Sequence, residues 1–153
     1  MKKQIIEIPY EVHAIEELDE QDRLLTEAAR EATKRSYAPY SHFRVGASVL
    51  LENGIILTGT NQENVAYPSG LCAERTTLFY ANSQYPDVPV KALAIASCDT
   101  EDILPPCGAC RQVMLETEKR YGKTIRVLLC GKKEVIIIGS AKSLLPLAFD
   151  NVL

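Results

Sequence analysis

From Asp19 onward the apolar residues Leu24, Leu25, Ala28, Ala29 and Ala32 recur at steps of three and four, with charged residues between them. That spacing lines one face of an α-helix. Asp19 suits the N-cap, and Tyr37-Ala38-Pro39 ends the pattern. The chain then turns β-rich over residues 45–51 and 55–62, on either side of Glu52-Asn53-Gly54. Asn-Gly between two such runs is a strong hairpin signal, so these strands are expected to pair antiparallel. Helical patterns return at 73–82 and 108–120, and each is followed by a continuous apolar run of strand length, 90–98 and 125–130. Helices joining such runs predict parallel crossovers. Only Gly131-Lys132-Lys133 separates the 125–130 run from a further strand at 134–139, far short of the dozen or so residues a parallel crossover needs. The last two strands are therefore expected to be antiparallel. Residues 140–145 predict a closing helix stopped by Pro146, followed by the apolar tail Leu147-Ala148-Phe149.

The first 18 residues carry a short apolar run, Ile5-Ile6-Glu7-Ile8, closed by Pro9 and followed by an acidic stretch. They read as an arm or an edge strand. The expected fold is α/β, a three-layer sandwich around a mixed five-stranded sheet. A chain of 153 residues with 46% hydrophobic and 24% charged composition has material for one core, so a single domain spanning 1–153 is expected. A net charge of −3 argues against a basic face for nucleic acid. No apolar run is long enough to span a membrane, and Met1-Lys2-Lys3 is not followed by a signal-peptide core, so a cytoplasmic location is expected. Five cysteines, an odd number, then favour metal binding over a disulfide framework.

Two short stretches concentrate the chemistry: Cys72-Ala73-Glu74-Arg75 and Pro106-Cys107-Gly108-Ala109-Cys110. Cys72, Cys107 and Cys110 offer three soft ligands to a zinc ion, and three protein ligands leave a fourth tetrahedral position open for a water. Glu74, spaced differently from the ligands, is free to carry protons. Three thiolates on a divalent ion leave a net negative centre. Both motifs open helices, whose positive ends offset that charge and lower thiol pKa values, and Arg75 is placed to donate to a thiolate. The competing reading is a closed structural zinc site completed by Cys98, Cys130 or a histidine. Glu74 tells against it.

Taken in order, Tyr40-Ser41-His42-Phe43-Arg44-Val45-Gly46-Ala47, Asn61-Gln62-Glu63-Asn64, Cys72-Ala73-Glu74-Arg75-Thr76 and Pro106-Cys107-Gly108-Ala109-Cys110-Arg111-Gln112 resemble the small, homotetrameric, zinc-dependent cytidine deaminases over about residues 28–149. The resemblance implies one zinc per subunit on Cys72, Cys107 and Cys110, with Glu74 as proton shuttle. The implied reaction is hydrolysis of cytidine or deoxycytidine to the uridine nucleoside and ammonia, as in pyrimidine salvage. Asn61 and Glu63 correspond to residues that bind sugar hydroxyls, Phe43 to one that packs on the pyrimidine, and the Ala73 backbone to a donor toward the base carbonyl. Tyr67 and Phe149 correspond to residues given to a neighbouring subunit's site.

Arg44 stands where relatives often carry proline, Cys98 is an additional thiol, and residues 1–18 have no assigned counterpart. Taken singly, Phe43, Tyr40, Tyr67 and Phe149 equally suit core or interface packing. Three other functions compete: an antibiotic-modifying deaminase of the blasticidin S type, a non-catalytic zinc module, and a polynucleotide deaminase. The blasticidin S enzymes lack the Asn-x-Glu-Asn pattern. The acidic charge and the short connection at 131–133 disfavour the polynucleotide enzyme.

Overall fold

A computed structural model describes residues 1–151. Its nine regular elements follow the expected order, with one strand more than the pattern of the chain predicts. In sequence they are β1 (Glu11–Ala14), α1 (Glu20–Ala32), β2 (Val45–Leu51), β3 (Ile56–Thr60), α2 (Ala73–Gln84), β4 (Val90–Ser97), α3 (Gly108–Tyr121), β5 (Arg126–Cys130) and β6 (Glu134–Ile138). The strands form one six-stranded mixed sheet in the order β1-β6-β5-β4-β2-β3.

The sheet therefore has six strands and not the expected five. The added strand comes from the N-terminal arm: Glu11–Ala14 pairs antiparallel with β6, Val12 opposite Ile136 and His13 opposite Val135. The physical reason is that β6 would otherwise end the sheet with a row of unpaired backbone groups. Four residues of the arm satisfy them. Pro9 lacks an amide hydrogen and breaks any upstream continuation, so the apolar Ile5-Ile6-Glu7-Ile8 run is not a strand.

The remaining pairings agree with expectation. β2 and β3 form the Asn-Gly hairpin, with Gly54 at φ 87°, and β4 and β5 run parallel. β5 and β6 are antiparallel. The closing helix is shorter than expected, a single 3₁₀ turn at Ala141–Leu144 capped by Ser140.

Alternate residues of β4 face different layers. Leu93 and Ile95 join Leu78 and Ala81 of α2 and Met114 of α3 in one cluster. Ala92, Ala94 and Ala96 pack with Leu25 and Ala29 of α1 in the other. Small residues on the α1 side let that helix lie close to the sheet. At Gly46 a methyl group would collide with the Ala29 carbonyl, so only glycine admits this approach. The sheet thus lies between α1 and the α2/α3 pair, and both cysteine motifs fall on the α2/α3 side.

Candidate active site

Cys72 is the N-cap of α2 and Cys107 the N-cap of α3, and neither side chain is used to cap its helix. Cys110 lies in the first turn of α3 and is fully buried. Burial of Leu78 and Ala81 beside Met114 brings the two helix starts together. The Sγ atoms of Cys72 and Cys107 are 3.8 Å apart, and those of Cys107 and Cys110 are 3.5 Å apart. Zinc–sulfur bonds of about 2.3 Å in a tetrahedron place sulfurs about 3.8 Å from one another. The three thiols, all within 4.8 Å, fit that geometry, and they form the one such ligand group among the described residues. Cys98 is exposed, its thiol 3.8 Å from Asp99, and Cys130 is buried in β5 beside Thr26. Neither belongs to the cluster.

The electrostatics of the cluster follow from its contacts. The Cys72 thiol is pulled down to about 5, first by the hydrogen bond from Cys110 and also by Arg75, whose Nη2 donates to Cys72 Sγ at 3.6 Å. The same contact pushes the Cys110 thiol up. Arg75 is raised by its hydrogen bond to Cys72. Its Nε is buried and has no partner among the described residues. Glu74 is 4% exposed, and burial raises its carboxyl to about 7, with the Cys72 charge adding to the effect. Ala73 is buried in the first turn of α2, where amide hydrogens have no partner within the helix and point toward the thiol end.

A cavity of about 490 Å³ opens beside Cys72 and Arg75 and is lined further by Tyr40, Ser41, Asn61, Glu63 and Tyr67. Residues 61–63 form its spine. The backbone of Gln62 exchanges two 2.9 Å hydrogen bonds with Leu71, while Tyr37 bonds the Asn61 carbonyl and the Glu63 amide. This strip therefore ties the 36–45 loop to the start of α2. Asn61 and Glu63 both reach the cavity, and both already hold the loop. The Asn61 amide donates to the Phe43 carbonyl at 2.8 Å and its oxygen accepts from Val45 N at 2.9 Å and from the Ser36 hydroxyl. Glu63 accepts from Tyr40 N at 2.8 Å and from the amide and hydroxyl of Ser41. The Ser41 hydroxyl bond, assisted by the two amides, holds the Glu63 carboxyl below its usual range. One Asn61 N–H has no partner among the described residues.

The other residues singled out from the sequence lie nearby or apart. Phe43 is half-buried in the same loop, just after His42, which has a left-handed φ of 56°. Tyr67 is 78% exposed and meets Tyr40 edge to face at 6.3 Å. Phe149 is 73% exposed and is not among the residues lining its own chain's cavity. Arg111 is not in the site: it donates from Nε to the Pro106 carbonyl and from Nη1 to the Leu144 carbonyl, tying the cysteine loop to the C-terminal turn. Ser41 and Asp99 are the polar groups of this region that the reading of the sequence passed over. Ser41 sits inside a quoted motif, but Asp99 is 55 residues from its partner Arg44 and carries no local signal.

Comparison with known proteins agrees with this geometry. Residues 19–124 match the family described as the cytidine and deoxycytidylate deaminase zinc-binding region, which begins just after the N-terminal arm. A cytidine deaminase of Sporosarcina psychrophila is 42% identical over 130 residues, 85% of this chain and 91% of that protein. One from Halalkalibacterium halodurans is 46% identical over 94 residues, 61% and 70% of the two chains. Among solved structures, the cytidine deaminase of Burkholderia pseudomallei superposes with a TM-score of 0.73 at 41% identity, covering 82% of this chain and 97% of that one. That of Mycobacterium tuberculosis gives 0.70 at 32%, covering 87% and 100%. Sequence and fold therefore lead to one conclusion, that the chain belongs to the cytidine and deoxycytidylate deaminase family and that its zinc-binding region is the one holding the three clustered thiols.

Proposed function

We propose that the chain hydrolyses cytidine and deoxycytidine to the corresponding uridine nucleosides and ammonia, using Glu74 as its proton carrier. The observation that carries this reading is the buried Glu74 carboxyl at the start of α2, beside a cluster of three thiols that would supply three of the four ligands zinc usually takes. Cys72, Cys107 and Cys110 would hold the zinc, which when bound supplies a Lewis acid able to make a water acidic near neutral pH. Arg75 and the two helix N-termini offset the charge of the thiolates. Glu74 takes the proton that the attacking water gives up and delivers it to ring nitrogen N3. Once ionised again, the same carboxylate takes the second proton from the new C4 hydroxyl, which becomes the C4 carbonyl, and passes it to the amine at C4. A C4–O bond forms, the C4–N bond breaks, and ammonia leaves. On the strength of the family resemblance, the Ala73 amide is assigned to the base carbonyl and Phe43 to the face of the ring.

The cavity favours an unphosphorylated nucleoside. Its charged lining residues are Glu63 and Arg75, and Arg75 is committed to Cys72. A phosphate would meet the Glu63 carboxylate, and the one cationic side chain lining the cavity among the described residues is Arg75, which the Cys72 sulfur already engages. A sugar 3′-hydroxyl suits the site better, since it can accept from the remaining Asn61 N–H and donate to Glu63. That hydroxyl is common to ribose and deoxyribose, so both nucleosides are expected substrates. Ammonia release measured in parallel on cytidine, deoxycytidine, deoxycytidylate, cytosine, blasticidin S and a short single strand tests the assignment. Turnover of the two nucleosides well above the rest is expected, and preference for any other compound would replace this reading.

The site is further proposed to be shared between subunits of a homotetramer. Val65, Tyr67, Phe79, Tyr80, Leu147 and Phe149 are all exposed on the single chain, apolar and aromatic side chains of the kind a subunit interface covers. Tyr67 and Phe149 are assigned to a neighbour's site on the strength of the family resemblance. Glu74→Ala and Phe149→Ala chains, denatured and refolded together, should then give activity above the average of the separately refolded parents. Activity equal to that average in mixed tetramers would return Phe149 to its own chain. The five free thiols suit a reducing compartment, and a cytoplasmic location is proposed on that basis; among the described residues no helix is long and apolar enough to cross a membrane.

A further inference from the structure

The loop that carries Phe43 is fixed through a single peptide group. The carbonyl oxygen of the Phe43–Arg44 peptide accepts from Asn61 Nδ2 at 2.8 Å. The amide hydrogen of the same peptide points to Asp99, with Arg44 N 2.7 Å from Asp99 Oδ2. A peptide plane held at both its oxygen and its N–H cannot rotate without breaking a hydrogen bond, so the pair sets ψ of Phe43 and φ of Arg44 together. Asp99 is anchored in turn. Its own amide donates to Ser97 Oγ at 3.1 Å, and that hydroxyl donates to the Arg44 carbonyl at 2.7 Å. The Arg44 guanidinium closes the arrangement from Nε at 3.0 Å and Nη2 at 2.7 Å onto the two Asp99 oxygens.

We propose that Asp99 is a positioning residue for substrate binding: by holding the Arg44 amide it fixes the Phe43–Arg44 peptide, and so sets where Phe43 presents its ring to the base. The inference rests on the nucleoside-deaminase reading above. Neither Asp99 nor Phe43 is among the residues lining the cavity of the single chain; the contact of Phe43 with the base is the one the family resemblance assigns, and Asp99 acts on it through the backbone of the loop. The guanidinium is secondary in this account. It keeps the carboxylate ionised, held down to about 2 chiefly by the Arg44 hydrogen bond, while the Asp99 bond to the peptide N–H does the positioning. Neutralising the carboxylate without removing its oxygen should then matter less than moving that oxygen.

Three variants and one control separate these contributions, each assayed on cytidine with zinc content and melting temperature recorded. Asp99→Ala removes the acceptor and is expected to raise KM about tenfold, with kcat within about twofold and zinc at wild-type stoichiometry. Asp99→Asn keeps an oxygen for the Arg44 amide and should recover most of the affinity. Asp99→Glu keeps the charge but displaces the carboxylate by one methylene, and should resemble the alanine variant. Arg44→Ala, which deletes the guanidinium and leaves the amide hydrogen, should stay within about threefold of wild type. A wild-type KM in Asp99→Ala overturns the proposal, as does an Arg44→Ala defect as large as that of Asp99→Ala. Where Asp99→Ala does not fold, the asparagine and glutamate variants decide, and equal KM values in the two overturn it. A wild-type protein inactive on cytidine would instead overturn the deaminase reading, and ligand affinity for uridine would then fail to appear in any variant.

Discussion

The two walls of the cavity are built on different principles. One wall is formed by Cys72 and Arg75; Cys72 clusters with Cys107 and Cys110, and Glu74 stands two residues on, all at the starts of α2 and α3, whose buried faces are locked into the core by Leu78, Ala81 and Met114. On the other wall the 36–45 loop has little regular structure and is drawn into place by Asn61, Glu63 and Asp99, acting across 16 to 55 residues of chain. The first wall takes its precision from helix geometry and apolar burial. The second takes it from polar contacts, many of them open to water, each of which contributes only about 0.5–3 kcal/mol net. Damage to the thiol wall should therefore appear in turnover and metal content, and damage to the loop wall in affinity.

The most severe test of that contrast is Glu74→Gln, which should retain zinc at wild-type stoichiometry while kcat falls by about 10²–10⁴-fold or more, since an amide cannot relay protons. Turnover within tenfold of wild type in a zinc-loaded sample would remove Glu74 from its role. Cys107→Ala should strike metal and fold together. Metal analysis is expected to show zinc lost, and calorimetry a lower melting temperature, because the free energy of metal binding is also folding free energy. On the loop wall, Glu63→Ala removes a charged acceptor that holds the loop and is proposed to receive the sugar. Steady-state kinetics should show KM up by about 10–100-fold with a smaller change in kcat. Cys98→Ala should change neither zinc content nor kinetics, and a zinc-free Cys98 variant would revive the closed structural site.

The smallest expected effect is a pH dependence of stability on the loop wall. Asp99 has a folded pKa of about 2, below the value of about 3.9 for an unfolded aspartate. A depressed carboxyl contributes stability that is fully present above the unfolded value and is lost as pH falls through the folded one. The melting temperature of the wild type should thus exceed that of Asp99→Asn near neutrality, and the gap should close between about pH 4 and pH 2. Because the pair is exposed to solvent, a gap of about 2 °C at most is expected, shrinking further in high salt.

Much of this architecture is written locally. The Asn53-Gly54 turn specifies the β2–β3 hairpin, and three residues between Cys130 and Glu134 force β5 and β6 to run antiparallel. The C-x-E and P-C-x-x-C spacings place the thiols and the carboxyl on first helical turns. Such features are legible because the physical constraint and the residues that impose it lie within a few positions of each other. The sixth strand was legible only as an open choice between an arm and an edge strand. Residues 11–14 have a weak strand pattern of their own, and it is the open edge of β6, more than 100 residues later, that gives them a partner.

The sequence by itself determined which groups are proposed to carry the chemistry, because the requirements of zinc and of proton transfer select residue types at short spacing. The tertiary structure decided how those groups are brought together and what holds the substrate loop. Packing of α2 against α3 brings Cys72 to Cys107, an approach that no spacing in the chain encodes. The bond from the Arg44 amide to Asp99 arises only where the end of β4 lies beside the start of β2, the two strands being paired in the sheet. A hydrogen bond depends on distance in space, and distance in space between remote residues is set by the whole fold.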